Sequence, residues 1–284
     1  MNVAYKMQNL QDWFTQQWVI TTGRKVDSKS MDWLMGPYGE LNCIGENFIL
    51  ELADKENLIV HRNLKSTGLL PSFKALNISE DDFKKISVKV IDFYENTSDY
   101  ELKFNVNWNP IFLVFGYLVN QLFSKRLNQL NIPLFNEKNQ VLSSEIIQLK
   151  DRQTNKVKYT LWLRKVQNTG HVIYSGIYGT CTLANSTTCV KAVFPLPKGN
   201  ATVVMTPRVG NKNELILDSS GKTFGDSGFY FLLKDSENKH WTKFIRSFKD
   251  KLIISEQNDK LVAKQKLKLW GIKVVTFNYI ITKM

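Results

Sequence analysis

Four side chains suited to ligand binding lie among apolar neighbours, in two segments that alternate in the way β-strands do. Trp162 and Arg164 share one face of the first segment, and Tyr174 and Tyr178 share one face of the second. An arginine and two tyrosine hydroxyls directed into an apolar cavity can bind a carboxylate or phosphate, while the indole ring contacts an apolar tail. The pattern therefore predicts a site for a small molecule that is mainly hydrophobic.

Two further residues are candidates for the same site. Arg126 lies on a predicted long helix, and Asp226 lies in the glycine-rich segment 221–228. A structural interpretation competes with this one: Arg164 or Arg126 pairs with Glu145, the tyrosines reach surface water, and Asp226 stabilises a turn between two strands. The glycine segment lacks the residue order of a phosphate-binding loop, which favours the turn.

The sequence carries no recognisable catalytic or metal-binding motif. It has no G-x-S-x-G segment, and its three histidines are far apart. We therefore assign no catalytic residue and expect no metal and no cofactor. Cys181 and Cys189 flank a polar hairpin loop, so the two thiols could approach each other. The N-terminus shows no secretory signal pattern, which indicates a reducing compartment and free thiols.

The charge is unevenly distributed along the chain. The net charge is +12, from 11 basic and 14 acidic side chains in residues 1–100 and 27 basic and 12 acidic ones in residues 101–284. A basic balance attracts nucleic acid, anionic lipid or acidic partners. The lysines are dispersed and no aromatic residues interleave them, so the pattern indicates a solvated shell and argues against nucleic acid.

The longest strongly apolar stretch, Pro110 to Val119, is shorter than the roughly 18–20 residues that span a bilayer. We therefore expect no transmembrane segment and a cytoplasmic protein. The oligomeric state is left open.

The first third of the chain is predicted to be helical, with loops. The clearest helix spans about Glu80 to Tyr94, since Ser79 is a good N-cap and apolar residues follow at helical spacing. The period then changes to two over Tyr100 to Trp108, which predicts a strand. A second helix is predicted over Trp241 to Leu252, where apolar and basic residues fall on opposite faces.

A long helix is predicted from Asn109 to Asn131. Its first half has no polar stripe, so we expect it to be buried on nearly all sides. From Ser143 onward, strands separated by short links rich in Gly, Asn, Asp and Ser predict an antiparallel sheet.

The sequence thus predicts an α+β fold in a single domain, residues 1–284. Residues 1–95 form a helical and loop segment. Residues 96–284 form a curved antiparallel sheet or incomplete barrel that wraps around the long apolar helix.

Several segments resemble a family of uncharacterised bacterial proteins, from about Phe93 onward. They include FYENTSDYEL, FGYLVNQLFSKRLNQLNIPL, FPLPKGNA, FGDSGFYF and KLWG. The resemblance implies no established activity or site residues. The predicted helix within a curved sheet is also similar to the START-like helix-grip class, and that similarity concerns the fold only.

The function that we expect is binding of a lipid-like or aromatic molecule in a cavity between sheet and helix. Two alternatives stay open at this point. One is an enzyme that acts on such a ligand. The other is a non-catalytic interaction module whose basic surface binds an anionic membrane or nucleic acid.

Overall fold

The computed structural model describes residues 3–6, 8–41, 44–119, 127–129, 131–133 and 140–284. Its helices are short, and they are α1 (Leu10–Thr22), α2 (Asn47–Lys55), α3 (Glu80–Phe83), α4 (Val88–Glu95) and α5 (Pro110–Val119), with 3₁₀ turns at Phe73–Leu76 and Thr97–Asp99.

Strands make up most of the remaining described residues. They are β1 (Arg24–Val26), β2 (Leu58–His61), β3 (Tyr100–Trp108), β4 (Gln140–Asp151), β5 (Val157–Val166), β6 (Val172–Thr182), β7 (Thr188–Leu196), β8 (Gly199–Val209), β9 (Leu215–Asp218), β10 (Gly228–Lys234), β11 (His240–Phe244), β12 (Phe248–Gln257), β13 (Lys260–Leu269) and β14 (Ile272–Lys283).

Ten of these strands, within the described ranges, close into an antiparallel barrel. The order around the ring is β3, β4, β5, β6, β7, β8, β9, β12, β13 and β14, and β14 pairs with β3. Strand β9 completes the ring, because Leu217 lies opposite Pro207 of β8 and opposite Leu252 of β12. Strands β10, β11 and β1 extend the sheet from β8, and β2 pairs with β4 outside the ring.

The barrel follows from strict alternation of side chains along its strands. On β14, inward Val275, Phe277, Tyr279 and Ile281 are buried in the main core. Outward residues of neighbouring strands are mostly lysine, such as Lys264 on β13. A period of two with one apolar face is the pattern of a barrel wall whose outer side faces solvent. The outer sides of β4 to β7 are apolar as well, because α2 and β2 pack against them.

The two ends of the barrel differ. At the end where β3 begins, residues from 69 to 95 fill the opening, and Phe73, Val90 and Phe93 pack against inward strand residues. Lys89 of α4 fixes this segment to the end of β12 through an ion pair with Glu256 of 2.7 Å. We call this the closed end. The opposite end, where β3 finishes and α5 begins, is the open end.

The predicted α+β fold around a long central helix is wrong. Helix α5 has ten described residues and lies at the open end, where Gly116 is so close to the Trp108 ring that an added Cβ would meet it at 2.9 Å. Its side chains Ile111, Val114 and Tyr117 are 79%, 68% and 52% exposed, so α5 is not buried on all sides. Strand side chains and the closed-end segment fill the core instead. The expected similarity to the START-like helix-grip class is therefore also wrong, because it depended on the central helix.

The helical first third is also wrong in part. It contributes strands β1 and β2, and the helix predicted over Glu80 to Tyr94 divides into α3 and α4. The break occurs because Ser87 takes an extended conformation, and its hydroxyl accepts a hydrogen bond from the Lys89 amide. Serine is a preferred N-cap, so it starts a new helix there.

The helix predicted over Trp241 to Leu252 is a pair of strands, β11 and β12. The sequence fits both periods, because its apolar residues recur at three or four positions and also alternate with lysines after Phe248. Pairing with β10, β9 and β13 decides in favour of the extended form. Tertiary pairing has overridden the local pattern.

Closure through β9 predicts a large penalty for Leu215→Ala. Leu215 is fully buried between β8 and β12, so its truncation should cost about 2–5 kcal/mol of the free energy of unfolding. Urea unfolding measures this cost. The control is Leu50→Ala on the exposed face of α2, where we expect a change within about 0.5 kcal/mol. Similar small changes in both variants would mean that β9 is a loose edge and the ring is open.

Candidate functional site

A cavity of about 850 Å³ extends from the barrel interior to the open end. Most of its lining is apolar and comes from inward strand residues, among them Trp108, Val190, Ala192, Val203, Met205 and Leu267. At its outer part it is bounded by Phe14 and Trp18 of α1 and by Gly116 of α5. Cavities of roughly 300–1,000 Å³ with such linings commonly hold small molecules.

Arg164 supplies a positive charge inside this cavity. Its side chain is buried, and its guanidinium lies 4.0 Å from the centre of the Trp162 ring and 4.5 Å from that of Tyr174. Its Nη2 atom donates a hydrogen bond of 2.9 Å to the Tyr178 hydroxyl. The Nε atom is buried and has no hydrogen-bond partner among the described residues. The group is therefore held in place by rings and keeps one donor free.

The competing structural interpretation assigned Glu145 to this arginine. In the structure Glu145 instead pairs with Arg62, at 2.6 Å, and Arg62 also pairs with Glu46 at 2.7 Å. No described carboxylate lies within ion-pair distance of Arg164. The cavity thus contains a guanidinium whose charge no described acidic side chain neutralises directly.

A second ionisable group of this cluster, Asp250 on β12, was not among the predicted site residues. Its Oδ2 atom accepts a hydrogen bond of 2.7 Å from Nε2 of Gln265, and its Oδ1 atom is buried without a partner among the described residues. Burial raises the pKa of Asp250 to about 7, although the Gln265 donor acts in the opposite direction. At pH 7 this carboxyl group is therefore partly protonated.

A sequence signal for Asp250 did exist. It alternates with Phe248, Leu252 and Ile254, so it is the one acid among apolar inward residues over positions 248–254 of β12. Gln265 is likewise the polar exception on the inward face of β13, which is otherwise apolar at Ala263 and Leu267. The helical assignment of this region hid the alternation.

Three tyrosines surround the charged groups. Burial raises the pKa of Tyr174, Tyr178 and Tyr279, in the last case to about 12. All three hydroxyls are therefore neutral at physiological pH and able to donate hydrogen bonds. Within this cluster the fixed charge comes from Arg164, and ionisation of Asp250 opposes it. The buried side chain of Asp12 on α1 also lines the cavity, outside this cluster.

The structure brings Trp162, Arg164, Tyr174 and Tyr178 together, as their strand positions suggested. Asp226 lies elsewhere, because its Oδ2 atom accepts hydrogen bonds of 2.9 Å from the amides of Lys222 and Thr223 within its own turn. These bonds lower the pKa of Asp226 and fit the turn interpretation. Arg126 lies outside the described residues.

The described cysteines and metal-ligating residues add no further site. Cys181 and Cys189 are opposite each other on β6 and β7, and both are buried free thiols. Burial raises the pKa of Cys181 to about 12, so this thiol is not activated. The described part of the chain contains no group of three or more side chains arranged to hold a metal ion.

Fold and site together define a closed antiparallel barrel with an apolar cavity and a small polar cluster inside it. No protein-family model matches the chain, and no solved structure matches it. The chain is similar to a Bacillus subtilis (strain 168) protein named "Uncharacterized membrane protein YndJ", with 24% identity over 267 residues. The match covers 93% of this chain and 46% of that protein, so the chain spans less than half of the relative's length.

The resemblance to uncharacterised bacterial proteins is thus supported at the level of one relative that is itself uncharacterised. None of the helices in the described ranges combines the length and apolarity needed to cross a membrane.

The raised pKa of Asp250 predicts that Asp250→Asn changes the free energy of unfolding in a pH-dependent way. In the unfolded chain the carboxyl ionises near pH 4, but in the folded protein it stays protonated until about pH 7. Its burial therefore destabilises the protein increasingly as the pH rises through this window. The asparagine variant should gain about 2–3 kcal/mol more stability over the wild type at pH 8 than at pH 5.

Denaturant unfolding of the ligand-free protein at the two pH values measures this difference. A stability change that is the same at both pH values would show that Asp250 is already ionised in the folded protein at pH 5.

Proposed function

We propose that this protein binds an amphipathic small molecule whose acidic head group contacts Arg164 and whose apolar part fills the barrel. The observation that carries the proposal is the buried Arg164 guanidinium, which faces an apolar cavity without a described carboxylate partner. A buried charge is costly unless it is paired, so an anionic ligand that completes the pair gains a strong interaction.

The head-group subsite suits an oxyanion. Arginine presents several donors in a fixed plane, and carboxylates or phosphates accept two of them at once. The Trp162 and Tyr174 rings restrict the guanidinium, so little side-chain entropy is lost when the ligand binds. Neutral tyrosine hydroxyls supply further donors, and none of them brings a competing negative charge.

The rest of the cavity suits a hydrophobic tail. Aliphatic and aromatic residues line it from the polar cluster toward the open end, where Phe14 and Trp18 continue the apolar surface. Burial of each methylene group contributes about 0.8 kcal/mol, so tail length sets much of the affinity. The relative's printed name, a membrane protein, fits a ligand of the kind that bilayers contain.

Arg164→Met provides the test. The variant keeps an apolar side chain of similar length and removes the charge. It should bind hexadecanoate about tenfold to a hundredfold more weakly, since a hydrogen bond to a charged group contributes about 1.5–3 kcal/mol. Its affinity for the neutral hexadecanol should not fall. Isothermal titration of the delipidated protein measures both affinities.

Two further variants serve as controls. Arg62→Met removes an arginine that is already paired with Glu145 outside the cavity, and should leave both affinities unchanged. Ala192→Phe fills part of the cavity and should weaken both ligands. Equal losses of hexadecanoate affinity in Arg164→Met and Arg62→Met would contradict the head-group assignment. Mass spectrometry of the recovered ligand detects the alternative, an enzyme that converts it.

A further inference from the structure

The open end carries an unusual set of exposed apolar side chains. On α5 three of them recur at helical spacing and point away from the barrel, and two more lie at the turn between β13 and β14. We call these five residues the mouth face: Ile111, Val114, Tyr117, Trp270 and Ile272, which are 79%, 68%, 52%, 73% and 50% exposed. Single exposed apolar residues are ordinary, but a group beside a cavity mouth indicates an interaction site.

The two parts of the mouth face are joined by the backbone. The Asn109 amide donates a hydrogen bond of 2.8 Å to the carbonyl of Val274, and its side chain donates one of 2.9 Å to the carbonyl of Lys273. Helix α5 therefore starts beside the first residues of β14, next to Ile272. Both parts of the mouth face therefore lie at the open end, on the two sides of this junction.

A group of lysines lies directly beside this region, on the outer wall of β12, β13 and β14. In register, Lys249 is opposite Lys268, Lys268 is opposite Lys273, and Lys251 is opposite Lys266. We call these five the lysine array. None of the five forms an ion pair within the described residues. Lys251 lies opposite Asp218 in register, and the Lys249 ammonium donates a hydrogen bond of 2.6 Å to the carbonyl of Gly221.

Repulsion within the lysine array destabilises the sheet, and an anionic partner would remove this repulsion. Like charges directly opposite each other on neighbouring strands destabilise a sheet. An extended anionic surface placed against the array converts this repulsion into attraction. A cationic face beside protruding aromatic and aliphatic side chains is the combination that binds at the interface of an anionic bilayer.

We propose that the open end docks on an anionic membrane surface, with the mouth face in the interfacial layer and the lysine array against the lipid head groups. In this orientation the cavity opens toward the bilayer between α1 and α5. Phe14 and Trp18 of α1, which line the cavity and are themselves exposed, lie along the path between the two. The docking surface is separate from the head-group subsite at Arg164 and stands without it.

The test is co-sedimentation with vesicles of equal parts phosphatidylcholine and phosphatidylglycerol. The double variant Ile111→Asp/Val114→Asp should lower the partition coefficient tenfold or more, because two aliphatic side chains leave the lipid interface. The control is Val88→Asp at the closed end, where the valine is 79% exposed, as Ile111 is. This variant should bind vesicles as the wild type does. Circular dichroism confirms that each variant is folded.

The charge contribution has its own pair of variants. Lys268→Gln/Lys273→Gln should weaken binding to the anionic vesicles about thirtyfold and reduce its dependence on salt, since each of the two basic residues near such a surface contributes about 1 kcal/mol. Lys74→Gln/Lys84→Gln, exposed at the closed end, should not change the binding.

Three results would overturn the proposal. One is equal binding to vesicles of phosphatidylcholine alone. The second is an equal loss of binding in Val88→Asp. The third is a mouth-face variant that changes the sedimentation coefficient of the protein without changing vesicle binding, which would assign this face to contact between two copies of the chain.

Discussion

The pairing of β9 with both β8 and β12 is the interaction on which the rest of the structure depends. Four residues, Leu215–Asp218, join the two sides of the sheet into a ring. Without them β12 and the second half of β8, residues 206–209, would be edges, because β10 pairs only with the first half of β8. The inward residues beside these edges would face water. Closure therefore creates an interior, and it also removes two strand edges that would otherwise be free to pair with other chains.

A closed interior changes the energetics of every polar group inside it. Arg164 and Asp250 each leave a polar atom unsatisfied among the described residues, and such an atom costs about 1–3 kcal/mol. Apolar residues at both positions would avoid this cost and would reduce the cavity volume. The cavity and the buried charge both lower the stability of the fold. Binding sites commonly reduce the stability of the protein that contains them.

The sequence predicted those parts of the structure that have a local signature. Alternation identified the strand β3 and the antiparallel β-rich region, and it placed Trp162 and Arg164 on one face of β5. Ring closure could not be predicted in this way, because the pairing of β8 with β9 and of β9 with β12 joins residues that no local period connects. Asp250 was not predicted as a site residue for a related reason. Its segment fits a helix as well as a strand, and only pairing with β9 and β13 distinguishes the two.

Helix α5 shows that the apolar composition of a helix does not by itself reveal what surrounds it. A helix that is apolar all round is expected to be surrounded by apolar material, and the sequence analysis took that material to be the protein core. In the structure one side of α5 meets Trp108 through Gly116, while the side carrying Ile111 and Val114 is exposed. Composition reports the polarity of the surroundings and does not distinguish protein from lipid. Placing α5 between the cavity mouth and an anionic bilayer satisfies the same composition with both sides covered, and it sets lipid head groups against lysines that form no ion pair within the described residues.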